Sequence, residues 1–231
     1  MKRFYKLVTV AEVEGGYVVH LDGKPVRTPA KAPFVLNKRA LMEAVAEEWG
    51  AQVEDIRPHS MPVTQLASTA IDRIPAQREE IVRAVAAYAE TDLLCYRTDH
   101  PIELAERQQR LWQPLLDWAE IRYGAALEVH VGIMPKPQPP AAIARLAEVV
   151  ESLDDLTLAG VQNATSELGS LILALALLEK RISAEEAFAA SQVDETFQIE
   201  QWGEDAEAAA RRAALRSDIQ ATRRYLDLVR G

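Results

Sequence analysis

The chain has 231 residues, with 26 lysines and arginines against 35 aspartates and glutamates, which gives a net charge of −9. A chain of this length can form one large domain or two unequal domains with a proper hydrophobic core. The negative charge is spread over much of the sequence. Nucleic-acid phosphates and anionic membrane surfaces would therefore repel the protein, and we expect neither as a partner.

Asp22 and Gly23 mark a predicted β-hairpin near the N-terminus. The pair readily takes the positive φ angles of a tight turn, and a strand-like run lies on each side of it. Because a lone hairpin is only marginally stable in water, we expect two further runs to extend it into a sheet. The four predicted strands are residues 5–10, 17–21, 24–28 and 34–36.

Beyond the sheet, apolar residues recur three and four positions apart, which is the spacing of one face of a helix. The helices predicted from this spacing are residues 39–52, 63–74, 81–88, 111–121 and 143–153. One alternating run, residues 127–131, is predicted as a strand that returns to the N-terminal sheet. We therefore predict an α+β fold, with a small antiparallel β-rich domain at residues 1–58 and a larger, mainly α-helical domain at residues 59–231.

Residues 168–178 form the most apolar stretch of the chain. The stretch ends at Glu179 and Lys180, well short of the ~20 residues that a membrane-spanning helix needs. It is predicted to be a buried core helix, and no membrane insertion is expected. Cys95, the single cysteine, lies in an apolar run and is predicted to be a small buried hydrophobe.

The C-terminal segment is predicted to be a helix with one apolar face, formed by Leu215, Ile219, Leu226 and Val229. Acids at its start and arginines later suit the helix dipole. Its arginines allow two interpretations, a docking surface or an ordinary solvated surface. They are Arg211, Arg212, Arg216, Arg223 and Arg224.

Motifs for cofactors and catalysis are missing from the sequence. It has no phosphate-binding Gly-x-x-x-x-Gly-Lys-Ser/Thr loop, no Gly-x-Gly-x-x-Gly turn and no Gly-x-Ser-x-Gly elbow. The four histidines lie far apart, and none pairs with another histidine or cysteine at a metal-ligand spacing. We therefore predict no nucleotide, metal or other cofactor, and a protein that is not an enzyme.

An enzyme stays open as the main alternative, because acid and base groups can assemble in space from distant residues. The alternative places a small-molecule site in a cleft between the sheet and the helices. Its candidate acid and base groups are Asp92, His100 and Glu195.

Two segments contain informative tryptophans. Trp112 and Trp118 flank Pro114, which is expected to kink or restart its helix, and both are interpreted as core anchors. In the second segment, helical spacing places Glu195, Gln198 and Trp202 on one side, while Asp194 and Gln201 share another stripe.

An acid, an amide and a large aromatic grouped in this way are typical of an interface hot spot. The predicted partner-binding residues are therefore Glu195, Gln198, Trp202 and Asp194. The alternative is that Trp202 belongs to the core and that Glu195 is an ordinary exposed acid.

Seven segments in this order resemble the family of assembly chaperones that bind the alpha subunit of the ATP synthase catalytic sector, known from mitochondria and alphaproteobacteria. The segments are residues 3–6, 21–29, 48–52, 61–64, 91–97, 112–118 and 194–203. Together they span nearly the whole chain. The resemblance implies a small β-rich part joined to a larger helical part, no bound nucleotide, and a protein client.

The resemblance further implies that the protein holds the free alpha subunit transiently, preventing aggregation until the beta subunit displaces it. Glu195 would match the functionally sensitive acid of the family, with Gln198 and Trp202 as its motif neighbours. The N-terminus has no import extension, so we expect a bacterial cytoplasm, whereas the eukaryotic members act in the mitochondrial matrix. A permanent structural subunit of a complex is a third interpretation.

Overall fold

The computed structural model describes residues 1–132, 134 and 136–231, and it begins with a four-stranded antiparallel sheet. Its strands are β1 (Val8–Val13), β2 (Gly16–Leu21), β3 (Lys24–Pro25) and β4 (Val35–Leu36). β2 pairs with each of the other three strands. The predicted hairpin is confirmed, since Asp22 and Gly23 have φ angles of 48° and 80° and join β2 to β3.

β1 begins three residues later than predicted. The backbone N–H groups of Lys6 and Leu7 donate to the carboxylate of Asp22, at 3.1 and 2.8 Å, and are therefore used before the strand ladder starts. At the other end of the hairpin, Gly16 has a φ of 144°, and a Cβ there would lie 2.3 Å from the carbonyl oxygen of Leu36. Only glycine lets β4 approach β2 this closely.

α1 (Arg39–Gly50) begins at the predicted residue and packs on β1 and β2, burying Leu41, Met42 and Val45. Its Glu48 then organises α2 (Pro62–Asp72). The Glu48 carboxylate accepts hydrogen bonds from the N–H of Val63 at 2.9 Å, and from the N–H and hydroxyl of Thr64 at 2.8 and 2.6 Å. These bonds satisfy N–H groups that the first turn of a helix leaves unpaired.

The rest of the described chain is mainly helical, so the predicted α+β fold is confirmed. The remaining helices are α3 (Ile74–Ala87), α4 (Ile102–Tyr123), α5 (Pro140–Glu151), α6 (Asp155–Leu168), α7 (Leu171–Leu178), α8 (Ala184–Ser191), α9 (Val193–Trp202) and α10 (Ala206–Arg230). α4 continues through Pro114, so the helix does not restart there, and the kink that was the other expectation stays a prediction. Trp112, two residues before this proline, is fully buried, as predicted.

The chain forms two compact units. The first contains Met1–Arg78, Asp154–Gly160 and Ala221–Gly231, and the second contains Glu79–Leu153 and Val161–Gln220. In both units, segments that are distant in sequence pack together. The change from strands to helices occurs earlier, between β4 and α1, and the boundary predicted between residues 58 and 59 stays a prediction.

The first unit is closed by segments from late in the chain. Tyr225 is fully buried, and its hydroxyl donates to the carbonyl of Leu156 at 2.9 Å. A Cβ on Gly160 would lie 2.4 Å from the side chain of the buried Leu226, so a larger residue at this position would require that side chain to shift. Of the predicted apolar face of α10, Ile219, Leu226 and Val229 are buried.

α7 lies in the core of the second unit, and all eight of its residues are buried, which confirms the predicted core helix. Cys95 is also fully buried, as expected. Burial raises the pKa of its thiol to about 12, so the thiolate, which is the reactive form, is not populated at neutral pH.

A second, two-stranded sheet consists of β5 (Tyr96–Arg97) and β6 (His130–Val131) in parallel register. β6 lies within the run of residues 127–131 that was predicted to return to the N-terminal sheet, and that prediction was wrong. The ladder continues instead through the N–H of Gly132, which donates to the carbonyl of Arg97 at 2.9 Å. Alternation of apolar residues predicts a strand but does not specify its partner.

Candidate protein-interaction site

α9 is the short helix that carries all four predicted partner-binding residues. It follows α8, which begins with a reciprocal capping box between Ser183 and Glu186. Gly203, with a φ of 84°, ends α9, and its N–H donates to the carbonyl of Ile199 at 2.8 Å. Asp194 and Glu195 lie in the first turn, where negative side chains interact favourably with the helix dipole.

One face of α9 is fixed to the second unit by buried side chains and by two polar contacts with α4, one at Asp194 and one at Glu200. Val193 and Phe197 are buried. The side-chain amide of Gln108 on α4 donates to the carboxylate of Asp194 at 2.7 Å. The Phe197 ring lies 5.6 Å from the guanidinium of Arg107, which is also on α4.

Arg107 also forms a two-pronged ion pair with Glu200, with both N–H···O distances at 2.9 Å. The hydrogen bond from Arg107 holds the pKa of Glu200 below its usual range, so this carboxylate stays ionised. The two polar contacts to α4 are six residues apart on α9. They define the orientation of the whole helix, and not only of one end.

The opposite face of α9 carries Glu195, Gln198 and Trp202. At 100° per residue these three positions fall within 60° of one another, and all three side chains are exposed. Trp202 is 79% exposed. Among the described residues, none of the three has a hydrogen bond or an ion pair, so their polar groups and the indole ring are available to a partner.

Asp194 differs from the other three predicted residues. It lies off the exposed face, is half-buried, and its carboxylate accepts the hydrogen bond from Gln108. Gln108 itself is buried and also accepts from the N–H of Thr98 at 2.9 Å. Asp194 is thus placed to hold α9 in position rather than to face a partner.

The residues proposed for an acid-base enzyme have separate environments. Asp92 is fully buried, and its carboxylate accepts hydrogen bonds from the Ser170 hydroxyl at 2.7 Å and from the N–H of Ile172 at 3.1 Å. This carboxylate caps the N-terminus of α7 and has no access to a substrate. His100 and Glu195 are exposed, and none of the three lines the cavities of about 640 and 450 Å³ described in the two units.

Residues 1–132, 134 and 136–231 contain no group of three His, Cys, Asp or Glu side chains placed to hold a metal ion. Within the same residues, no helix combines the length and the apolar character needed to cross a membrane.

The arginines of α10 are largely occupied by internal ion pairs. Their acidic partners are, in order, Glu207 for Arg211, Glu204 for Arg212, Glu185 for Arg216, Asp227 for Arg223 and Glu47 for Arg224. Counting the arginines in the sequence therefore overestimates the positive charge of α10 that is left for a partner. Two of them, Arg212 and Arg216, line the cavity of the second unit together with arginines of α4.

Sequence reasoning missed that cavity. Its lining comes from α4, α8, α9 and α10, and no local spacing connects residues so far apart in the chain. The only available signal was the excess of arginines on α10, which is shared by many solvated helices.

Comparison with known proteins gives consistent similarities. A family model described as "ATP12 chaperone protein" matches residues 2–120. The chain is 27% identical over 214 residues to the mitochondrial protein atp12 of Schizosaccharomyces pombe, and the match covers 87% of this chain and 74% of that protein.

Two crystal structures are similar over nearly the whole chain. Atp12 from Paracoccus denitrificans is 40% identical, with a TM-score of 0.93 and coverage of 98% of this chain and 97% of that chain. The Atu1473 protein from Agrobacterium tumefaciens is 44% identical, with a TM-score of 0.94 and coverage of 99% and 86%. These proteins share both units of the fold with this chain.

Proposed function

This chain belongs to the ATP12 family of chaperones for ATP synthase assembly, because the family model matches more than half of its residues, and we propose that its client is the free alpha subunit. In this proposal the protein covers the surface of alpha that later contacts beta. An exposed apolar subunit interface is an aggregation hazard, so covering it keeps the free subunit available for assembly.

The observation that carries the proposal is the exposed face of α9. A tryptophan exposed to 79% is unusual for a residue of this size and apolar character, and tryptophan is enriched among residues that dominate binding energy. Because Asp194, Phe197 and Glu200 fix α9 on its other side, the face is ordered before a partner arrives. Binding to it therefore costs little conformational entropy.

Glu195 and Gln198 would give this contact its specificity. Glu195 supplies a negative charge that discriminates between partners, and Gln198 supplies both a donor and an acceptor. Trp202 would supply most of the buried apolar area, because an aromatic side chain can bury ~150–250 Å².

Release of the client needs no nucleotide in this proposal. The beta subunit would compete for the same surface of alpha, and the exchange would follow the relative affinities of the two complexes. The contact is therefore transient, which separates a chaperone from a permanent subunit. We place this activity in a bacterial cytoplasm, by analogy with the Paracoccus and Agrobacterium relatives.

The test is capture of separately expressed ATP synthase alpha and beta subunits by the tagged protein, with native, Glu195→Lys and Glu80→Lys chains in parallel. Glu80 is an exposed acid on α3 and serves as the matched control. We expect capture of alpha but not of beta, and release of alpha when beta is added. Charge reversal at Glu195 should weaken capture about tenfold or more, because a like-charge contact costs several kcal/mol.

Failure to capture alpha under conditions where alpha stays in solution would refute the proposed client. Equal capture by the Glu195→Lys and Glu80→Lys chains would keep the client but remove Glu195 from the interface.

A further inference from the structure

The cavity of the second unit is a groove rimmed by four arginines, here called the arginine groove. It has a volume of about 450 Å³. Arg107 and Arg110 come from α4, and Arg212 and Arg216 come from α10. A cluster of four guanidinium groups is unexpected in a protein whose net charge is −9.

Carboxylate, amide and hydroxyl groups hold three of these guanidinium groups in place. Arg107 pairs with Glu200. Arg212 contacts Glu204 at 3.2 Å and also donates to Gln192 and Thr196 at 3.3 and 3.2 Å, while Arg216 pairs with Glu185. A guanidinium has five N–H donors, and these contacts use only some of them. The groups are thus pre-positioned and keep donors for a further acceptor.

Arg110 is the exception. Its side chain is exposed on the rim, and it has no hydrogen bond or ion pair with any residue that the structure describes. Glu200, Glu204 and Glu185 each pair with one of the other three arginines, so the guanidinium of Arg110 is the one positive charge of the cluster without an acidic partner among the described residues.

Part of the groove lining is apolar. The ring of Phe188 lies 5.4 Å from the Arg212 guanidinium and 5.7 Å from that of Arg216. Leu111 on α4, with 36% of its surface exposed, and Ala189 on α8 also belong to this apolar part of the lining. Guanidinium groups over an aromatic ring suit a ligand with both a carboxylate and an apolar side chain.

We propose that the arginine groove binds an extended acidic segment of the client, with its carboxylates at the guanidinium rim and an apolar side chain against Phe188 and Leu111. Carboxylates are favoured because guanidinium groups match them with paired hydrogen bonds. The protein's overall negative charge disfavours a nucleic acid, and the groove's volume fits a few side chains.

The groove also adjoins the proposed interface. Val193 and Thr196 of α9 line it, while Glu195, Gln198 and Trp202 lie on the exposed side of the same helix. A helix with its side chains is ~10–12 Å across, so one client can contact both surfaces. The inference rests on the proposed function in naming the alpha subunit as this client.

The test measures the affinity for the isolated alpha subunit by titration at low and high salt. The chains compared are native, Arg110→Glu, Arg110→Lys and Glu195→Lys, with Arg83→Glu as the control. Arg83 is an exposed arginine on α3 that, like Arg110, has no polar contact with the described residues. Arg110 takes part in no internal pair, so its replacement should leave the fold intact.

We expect Arg110→Glu to weaken binding about tenfold or more, Arg110→Lys to weaken it less because the charge is kept, and Arg83→Glu to have no effect. The native affinity should also fall with added salt more steeply than that of Arg110→Glu. If the native chain binds alpha while Arg110→Glu binds equally well, the groove inference is overturned and the proposed function stands. If the native chain does not bind alpha, both are overturned.

Discussion

Asp92 shows how one buried side chain can set the stability of the second unit. Its carboxylate accepts hydrogen bonds from Ser170 and from backbone N–H groups of Leu94 and Ile172. It therefore joins the turn before β5 to the first turn of α7, the most completely buried helix of the protein. Burial outweighs these hydrogen bonds and raises the pKa of Asp92 to about 6.

This pKa predicts a pH dependence of stability. Between the ordinary pKa of 3.8 and about 6, the folded protein binds a proton at Asp92 that the unfolded chain does not bind. The free energy of unfolding due to this group is therefore highest below the ordinary pKa and falls as the pH rises through 6. The loss is complete above that pH and amounts to ~3 kcal/mol.

Urea unfolding of the native chain and of Asp92→Asn, over a range from pH 4 to pH 7.5, measures the contribution of Asp92 to the free energy of unfolding. We expect Asp92→Asn to be the less stable chain, because an amide cannot accept all the same hydrogen bonds. The stability difference between the two chains should shrink as the pH rises. A difference that is constant over this range would show that Asp92 keeps an ordinary pKa in the folded state.

At the scale of single elements, α9 combines a fixed face and an exposed face within ten residues. Asp194 belongs to the fixed face, although it stands beside Glu195 in the sequence. Replacing Asp194 with alanine should leave the buried amide of Gln108 without its acceptor and cost ~1–3 kcal/mol of stability.

Amide hydrogen exchange along α9 distinguishes positioning from direct contact at Asp194. We expect faster exchange in α9 of Asp194→Ala, together with weaker client binding. Gln201→Ala is the control, because Gln201 lies on the same stripe but is exposed and has no polar contact with the described residues. Weaker binding with unchanged exchange would instead place Asp194 in the interface itself.

The sequence predicts those elements whose signal is local. The turn at Asp22 and Gly23, the start of α1 at Arg39 and the apolar run of α7 each contain their own evidence. Two-residue strands such as β5 and β6 have no such evidence, because their pairing depends on distant backbone groups. The helical spacing of Glu195, Gln198 and Trp202 was likewise readable, whereas the exposure of Trp202 required the folded structure.

The same limit applies to the arginine groove. Phe188 and Arg110 are 78 residues apart and lie on different helices, so only the tertiary fold reveals that they line one cavity. The arginines of α10 could be counted, but their acidic partners could not be assigned from the sequence.

At the scale of the whole molecule, a substitution at Gly160 tests how tightly the first unit is packed. In an isolated helix, alanine would be favoured over glycine by ~1 kcal/mol. Here the added Cβ would lie 2.4 Å from Leu226 and 3.1 Å from Tyr225, both buried, so overpacking should outweigh the gain. We expect Gly160→Ala to lower the free energy of unfolding by ~1–3 kcal/mol.

Thermal or urea unfolding of Gly160→Ala checks this result, with Gly50→Ala as the control. A Cβ on Gly50, at the end of α1, would meet nothing within 4 Å. Gly50→Ala should therefore be neutral or slightly stabilising. Equal stability of the two variants would mean that the segments around Gly160 and Leu226 can separate at little cost.

The first unit is built from three separate segments of the chain, and this affects how the protein folds during synthesis. Its sheet is synthesised before residues 154–160 and 221–231, which the unit also requires. At a synthesis rate of ~5–20 residues per second, the sheet must wait at least several seconds for these segments. During translation the N-terminal strands therefore leave the ribosome without their full packing partners, and an assembly chaperone itself passes through a stage in which it is exposed to aggregation.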